Sequence, residues 1–487
     1  MKNRILFISL AVVLALSVGL VGCGGGGVVR EPSDTIVIGM SRSVTGSLAI
    51  VHSSAFLPVY TAYIEWINDQ DGITVDGQKF LVESRVLNDN SLAETLTQHT
   101  NTLINDVADG TVHTIFGPTC TYFIDVMGPI TSEADCVLMT AEGGGTFLIT
   151  DPGPPPTPGQ ITISPYLFIN LSFSDWYQLQ VLAPLLDEVH KDHYGSSSNA
   201  TAWIVWQDDA HGLEYLYVAK EYFAEANIEI LGNTPVLNDP TYDYEGELAT
   251  IAAESPNILC LFCYPNEING YVGAAIGTDT NFDAVVGGPG ACFGIFGTTY
   301  AGFAANTEGI MTFAVGNNKT SNTSNPIPNA TITMEELFND IIAGGVWDNQ
   351  DAWGHPIYWA ALEMWQHAVE QVGYVQDGGF MIDQDALQAE LASYNSEPNG
   401  VNTVLGKAWY HMFGTGGGML DWKCHTGEIG QWRDGYIEVV GPEEVLVKIP
   451  GAGPFDPPTY ESQNLTDVLP NYRTTTGTVD YPKDPWS

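Results

Sequence analysis

The sequence predicts an α/β protein of two lobes, each a doubly wound parallel sheet covered by helices on both faces. Three observations predict it. Short β-branched or aliphatic runs alternate with longer stretches of helical period, and the alternation occurs in two successive sets. Hydrophobic residues make up 44% of the 487 and charged ones only 15%, a balance that supports large cores rather than disorder. At that length two or more domains, or one with large insertions, are expected, and no short-period repeat competes with this reading.

The first residues stand outside the fold. Lys2 and Arg4 precede the apolar run Ile5 to Leu20, which has the charged and hydrophobic regions of an export signal and is short for a spanning helix. The tetrapeptide Leu20-Val21-Gly22-Cys23 resembles the bacterial lipobox, which implies that Cys23 is lipidated and becomes the first residue of the mature chain. The alternative is an ordinary cleaved signal with a coincidental cysteine. Residues 23–34, opening with four glycines, read as a flexible tether.

Thr35 to Gly39 is the first strand. In the helix expected over Ala55 to Asn68, Phe56, Tyr60, Tyr63 and Ile67 recur at spacings of four, three and four. Then follow a strand at Phe80 to Leu87, a helix at Leu92 to Val107, a strand at Thr114 to Phe116, a helix at Phe123 to Ala134 and a strand at Cys136 to Met139. The second set has strands at Ala202 to Trp206, Glu229 to Leu231, Ile258 to Tyr264 and Ala284 to Val286. Its helices are expected at Leu213 to Ala226, Tyr244 to Glu254 and Ile268 to Ile276. Asp151 to Pro165, rich in proline, and Gly316 to Ala330, rich in Asn, Ser and Thr, read as surface loops. Gly451 to Ser487 reads as an extended tail lying on the body or partly disordered.

Charge and motifs exclude several function classes. The net charge of −43 comes from 15 Lys and Arg against 58 Asp and Glu, so the chain has no basic cluster for nucleic acid or for an anionic membrane surface. No nucleophile elbow, His-Glu-x-x-His, Walker loop or dinucleotide fingerprint is present, and no enzyme, cofactor or metal site is expected. His190 and His193 read as helix-end residues. Six cysteines beyond Cys23 permit disulfides in an exported protein without fixing a pairing. The spacing of Cys260 and Cys263 is that of a redox motif, but the pair closes a buried strand instead of opening a helix.

The order of pieces resembles the type I periplasmic solute-binding proteins of ABC importers, specifically the branched-chain amino acid receptors. The resemblance spans roughly Asp34 to Glu444. It rests on Ile38-Gly39 running into Thr45-Gly46, on Ile67-Asn68 followed by Gly72-Ile73, and on Phe116-Gly117-Pro118 with small polar residues after it. Phe168 to Asp175, Asp208 to Gly212 and Tyr358 to Ala361 complete it. It implies two lobes joined by a multi-strand hinge with the ligand in the cleft between. Lobe 1 would hold residues 35–168 and 315–430, and lobe 2 residues 169–314 and 431–450. The implied protein is a lipid-anchored, extracytoplasmic monomer that hands a small solute to ABC importer permease subunits. A ligand-sensing receptor on the same fold, for an aliphatic or aromatic carboxylate, is the alternative.

Carried over residue by residue, the resemblance implies that Thr121, then Glu142, Gly143 and Gly144, hold the carboxylate and amine of a ligand. Glycines let backbone N–H groups approach an anion closely, although Gly143 to Gly145 also read as a plain turn. From lobe 2 the family's Tyr before Gly is His211 here, its strand-end Tyr is Tyr264, and its ammonium-binding acid corresponds to Gly290. The expected partner of an amine is therefore missing. Either Glu142 replaces it, helped by Asp208 or Asp209, or the ligand carries no amine. Arg42, one of six arginines, stands in the first βα loop, where it either clamps a carboxylate or forms a structural ion pair.

Overall fold

The computed structural model describes residues 33–141, 164–293, 307–314, 329–342, 354–412 and 416–449, apart from short breaks within these stretches, together with 296, 459–464, 481 and 483. Glu142, Gly143, Gly144, Cys23 and most of the two expected surface loops lie outside the described residues.

Two sheets carry the fold. The first contains β1 (Thr35–Arg42), β2 (Ile73–Val75), β3 (Gln78–Asn88), β4 (Thr114–Phe116), β5 (Leu138–Thr140) and β6 (Leu167–Ile169). The second contains β7 (Thr201–Gln207), β8 (Glu229–Val236), β9 (Ile258–Phe262), β10 (Ala284–Gly287) and β11 (Met311–Ala314). Two small hairpins follow, β12 (Tyr374–Gln376) with β13 (Gly379–Met381) and β14 (Val401–Thr403) with β15 (Gly406–Ala408). Then β16 (Tyr410–Met412) and β17 (Gly418–Leu420) return to the first sheet, and β18 (Glu428–Arg433) and β19 (Tyr436–Gly441) to the second. The orders are β16-β17-β6-β5-β4-β1-β3-β2 and β19-β18-β11-β10-β9-β7-β8. Their centres are parallel and only their edges antiparallel. The chain passes between the sheets after β6, after β11 and after β17, so the seam is built from three crossings.

The helices follow from local sequence. α1 (Leu57–Asn68) and α2 (Ala93–Asp109) flank the first sheet. In α2 the buried Leu96, Leu103, Ile104 and Val107 make one apolar face. α3 (Thr121–Glu133) leaves the carboxyl end of β4. α4 (Ser174–Tyr194), α5 (Ala210–Glu225), α6 (Tyr244–Ala253) and α7 (Pro265–Thr278) flank the second sheet. Asp209 and Asp243 cap α5 and α6 by accepting hydrogen bonds from Gly212 and Gly246 N–H. α8 (Gly354–Val372) returns the chain to the first lobe and is buried on nearly every side; α9 (Gln384–Ser393) follows it. Trp365 Nε1 donates to Thr114 Oγ1 at 2.9 Å, and Trp359 meets Tyr63 edge-on at 4.9 Å.

One expectation needs correction. The first helix begins two residues late, at Leu57, because His52–Phe56 forms a π-helical turn in which Ser54 Oγ donates back to Ile50 O at 2.6 Å. In the described part of the terminal tail, β21 (Thr459–Asn464) pairs antiparallel with β20 (Glu444–Ile449). Tyr481 Oη lies 2.6 Å from His190 Nδ1, and Lys483 N donates to Asp283 O at 2.7 Å. The six described cysteines are all buried, and burial raises the thiols of Cys260 and Cys263. Among the described residues no helix is long and apolar enough to cross a membrane.

Candidate functional site

Both sheets reverse their strand order once. In the first, β1 lies between β3 and β4; in the second, β7 lies between β8 and β9. Open α/β sheets bind ligands beyond the carboxyl ends of strands at such a switch point. The residues leaving β1 and β4, and those leaving β7 and β9, are therefore the ones to inspect. They are Arg42, the Gly117–Thr121 turn, Asp209 with His211, and Tyr264.

In lobe 1, β4 runs through Gly117 to Cys120 into α3. Ser43 N donates to Thr119 Oγ1 at 2.8 Å and ties this turn to the end of β1. Cys120 caps α3 in extended conformation and gives no side-chain hydrogen bond to it. The first N–H groups of α3 and the buried Thr121 hydroxyl thus stand together at the positive end of a helix, a donor set for a carboxylate. Arg42 lies behind the turn, 1% exposed. Its Nη1 donates to Pro118 O at 2.5 Å and its Nη2 to Tyr358 Oη at 2.6 Å. The guanidinium carbon stands 4.4 Å from the Phe56 ring centre and 5.2 Å from that of Tyr358.

Lobe 2 presents acids and rings. His211 and Tyr264 stack with ring centres 5.0 Å apart and planes 9° from parallel. Tyr264 Oη donates to Asp209 Oδ2 at 2.9 Å. Burial lifts the Asp209 carboxyl to about 6, although the bonds from Tyr264 and from the α5 N–H groups oppose the rise. Burial lowers His211 to about 4, so its ring is neutral at pH 7. Glu267, in the first turn of α7, is 1% exposed and its Oε2 has no hydrogen-bond partner. Burial, reinforced by the charge of Asp209, raises it to about 7. The same two causes raise Asp125 of α3 to about 7.

The half-sites face each other. The side chains of Tyr264 and Cys120 meet across the seam, and Asn266 Nδ2 donates to Ser47 O at 3.1 Å. Arg42, Thr121, His211 and Tyr264 are thus brought to one interlobe region with a donor side and an acidic side. Gly290 lies under it and contributes no side chain. A Cβ there would stand 2.8 Å from Ile268 Cδ1 and 2.9 Å from Pro265 N, so the start of α7 leaves no room for a side chain at this position. Gly212 is required for a similar reason, since a Cβ would fall 2.1 Å from Gln207 O where α5 folds back on β7.

Sequence reading missed Asp125 and Glu267. Asp125 is four residues after Thr121 and so on the same helical face. Glu267 follows Pro265 at a helix start, where an acid is usually explained by the dipole alone.

The fold is that of the type I periplasmic binding proteins, two parallel-rich α/β lobes. The chain is similar to the branched-chain amino acid transporter substrate binding protein of Streptococcus pneumoniae, solved with isoleucine. The TM-score is 0.60 and the identity 17%, over 84% of this chain and 100% of that one. It is similar to a leucine binding protein of Thermotoga maritima, with TM-score 0.58 and 12% identity over 83% and 97% of the two chains. A solute binding protein of an ABC transporter from Rhodopseudomonas palustris, in complex with 3,4-dihydroxybenzoic acid, gives 0.59 and 15% over 84% and 97%. No protein-family model and no curated protein matches the sequence.

Proposed function

We infer that the protein is an extracytoplasmic receptor that captures a zwitterionic small solute, an amino acid or close relative, by closing its two lobes and delivers it to an ABC importer. The observation that carries this reading is the placement of Asp209, held by Tyr264, opposite the open N-terminus of α3. A carboxylate on the lobe 1 side and an ammonium on the lobe 2 side would each meet a complementary partner. Asp209 and Glu267 take the role of the acid that Gly290 lacks, with or without Glu142. Ligand contacts to both lobes at once are what favour closure.

Calorimetric titration of the mature protein with neutral amino acids and with the matching amides and des-amino acids tests the reading. Binding that needs both charged groups is expected, and equal binding of des-amino acids overturns it. That second result would favour a receptor for aromatic or aliphatic carboxylates, a reading supported by the stacked His211 and Tyr264 and by the dihydroxybenzoate bound to the R. palustris relative.

The proposal extends to the chain's ends and assembly. Residues 1–22 are the signal peptide, Cys23 carries the lipid, and the mature protein acts as a monomer whose lobes exchange chain after β6, β11 and β17. Cys23→Ser is expected to release the protein from membranes in cell fractionation; continued membrane association removes the anchor from the proposal.

A further inference from the structure

Arg42 carries a buried charge in a place where acids would be easy to supply. The chain has 58 acidic residues, yet the ion pairs among the described residues join Lys79 to Asp71, Arg85 to Asp106 and Lys191 to Asp187, and none includes Arg42. The buried acid beside it, Asp89, turns Oδ1 to Ser43 Oγ at 2.7 Å and to Ser91 N at 2.8 Å. Arg42 Nε has no hydrogen-bond partner at all. His52, whose charged form burial and Arg42 itself disfavour, is held to about 4 and adds no second charge. Asp89 stabilises Arg42 only from beside it, without an ion pair, and a guanidinium buried with no anion in direct contact is costly to a fold.

The side chain also cannot act as an open clamp, because it is 1% exposed. Each terminal nitrogen already donates once, to Pro118 O in the turn that leads into α3 and to Tyr358 Oη, with Phe56 and Tyr358 rings against the guanidinium. We propose that Arg42 sets the charge preference of the lobe 1 half-site: from behind the Gly117–Cys120 turn it positions that turn and biases the α3 N-terminus toward an anion over a neutral group. Arg42 is thus a positioning residue that does not touch the ligand. The solute's carboxylate would add a second negative charge to the one Asp89 offers from beside Arg42. This rests on the reading of the α3 N-terminus as the carboxylate cradle. A unit charge about 8–12 Å away, at an effective dielectric near 20, shifts an anion's affinity by roughly 10- to 30-fold.

The test is a matched panel on the mature protein by calorimetry: leucine, leucinamide, 4-methylpentanoate and 4-methylpentanamide, against wild type, Arg42→Gln and Arg42→Lys. Circular dichroism and melting temperature accompany each variant. In wild type the acids are expected to bind better than their amides. Arg42→Gln is expected to lose roughly 10-fold or more on the acids and to leave the amides nearly unchanged, whereas Arg42→Lys keeps most of the acid preference because it keeps the charge. If Arg42→Gln does not fold, Arg42→Lys and the acid-to-amide ratio of wild type at low and high salt carry the comparison.

Equal losses for acids and amides would overturn the proposal and leave Arg42 a packing residue, and so would an unchanged ratio. Binding of 4-methylpentanoate as tight as leucine would instead refute the zwitterion reading above, while the Arg42 comparison remained readable from the acid and amide lacking an amine.

Discussion

At Tyr264 and Gly290 single atoms decide what the cleft can hold. Tyr264→Phe removes the hydroxyl that donates to Asp209 Oδ2, so the carboxylate loses one of the bonds that favour its ionised form. An amine-bearing ligand is expected to bind several-fold more weakly, in line with about 1 kcal/mol for such a bond, and calorimetry at pH 7 reads it. Tyr264→Ala, which also deletes the ring stacked on His211, is expected to weaken binding further while the circular dichroism spectrum stays native. Gly290→Ala places a methyl against Ile268 and Pro265 N. It is expected to destabilise the protein by about 1–3 kcal/mol through overpacking, measured by urea unfolding, and to lower affinity by displacing α7. The sequence could show that an acid was absent at Gly290. It could not show that the start of α7 leaves no room for one, because Pro265 and Ile268 reach Gly290 only through the folded β9–α7 turn.

The elements that meet at the seam carry the pH response. Asp125 of α3, Asp209 before α5 and Glu267 of α7 all hold protons in the folded state at pH values where a free carboxylate releases them. Asp208, Tyr264, Tyr122 and Cys263 are further titratable groups around Asp209, with His211 beside it on α5. For acids whose folded value is raised, the folded state binds more protons than the unfolded one between about pH 4 and pH 7, so stability falls as pH rises through that window. The unliganded protein is expected to melt higher at pH 5 than at pH 8. The affinity for an amine-bearing solute is expected to move the other way, falling below about pH 6 as Asp209 takes up its proton. Scanning calorimetry with and without ligand separates the two. α8 bears on stability alone: Trp365→Ala is expected to cost about 3–5 kcal/mol in urea unfolding, because it empties a fully buried site and strands the Thr114 hydroxyl. Helix periodicity made α1 to α3 and α5 to α7 legible to within a few residues. The π-turn at His52–Phe56 was not, since its Ser54 back-bond competes with α-helical pairing without changing the apolar spacing.

For the molecule as a whole, the two-lobe α/β plan was legible in the sequence because parallel strands buried on both faces write themselves as short apolar runs. β7, β9 and β10 are such runs, and all were foreseen. The later strands were not: β12 to β19 are three to six residues long, and those that join the main sheets are placed there by distant residues, as where Gly418 of β17 pairs in parallel with Phe168 of β6, so no local pattern announces them. The described thiols add an experimental handle on motion. Cys136, Cys260 and Cys424 are buried inside the lobes, whereas Cys120 is covered by Tyr264 from the opposite lobe. A thiol reagent therefore distinguishes kinds of opening: Cys120 becomes reactive when the lobes part, and those three only when a lobe comes apart. Labelling followed by peptide mass analysis is expected to show Cys120 modified before them, with saturating ligand slowing it and leaving those three unaffected, so that one cysteine serves as a native clock for the opening and closing of the cleft.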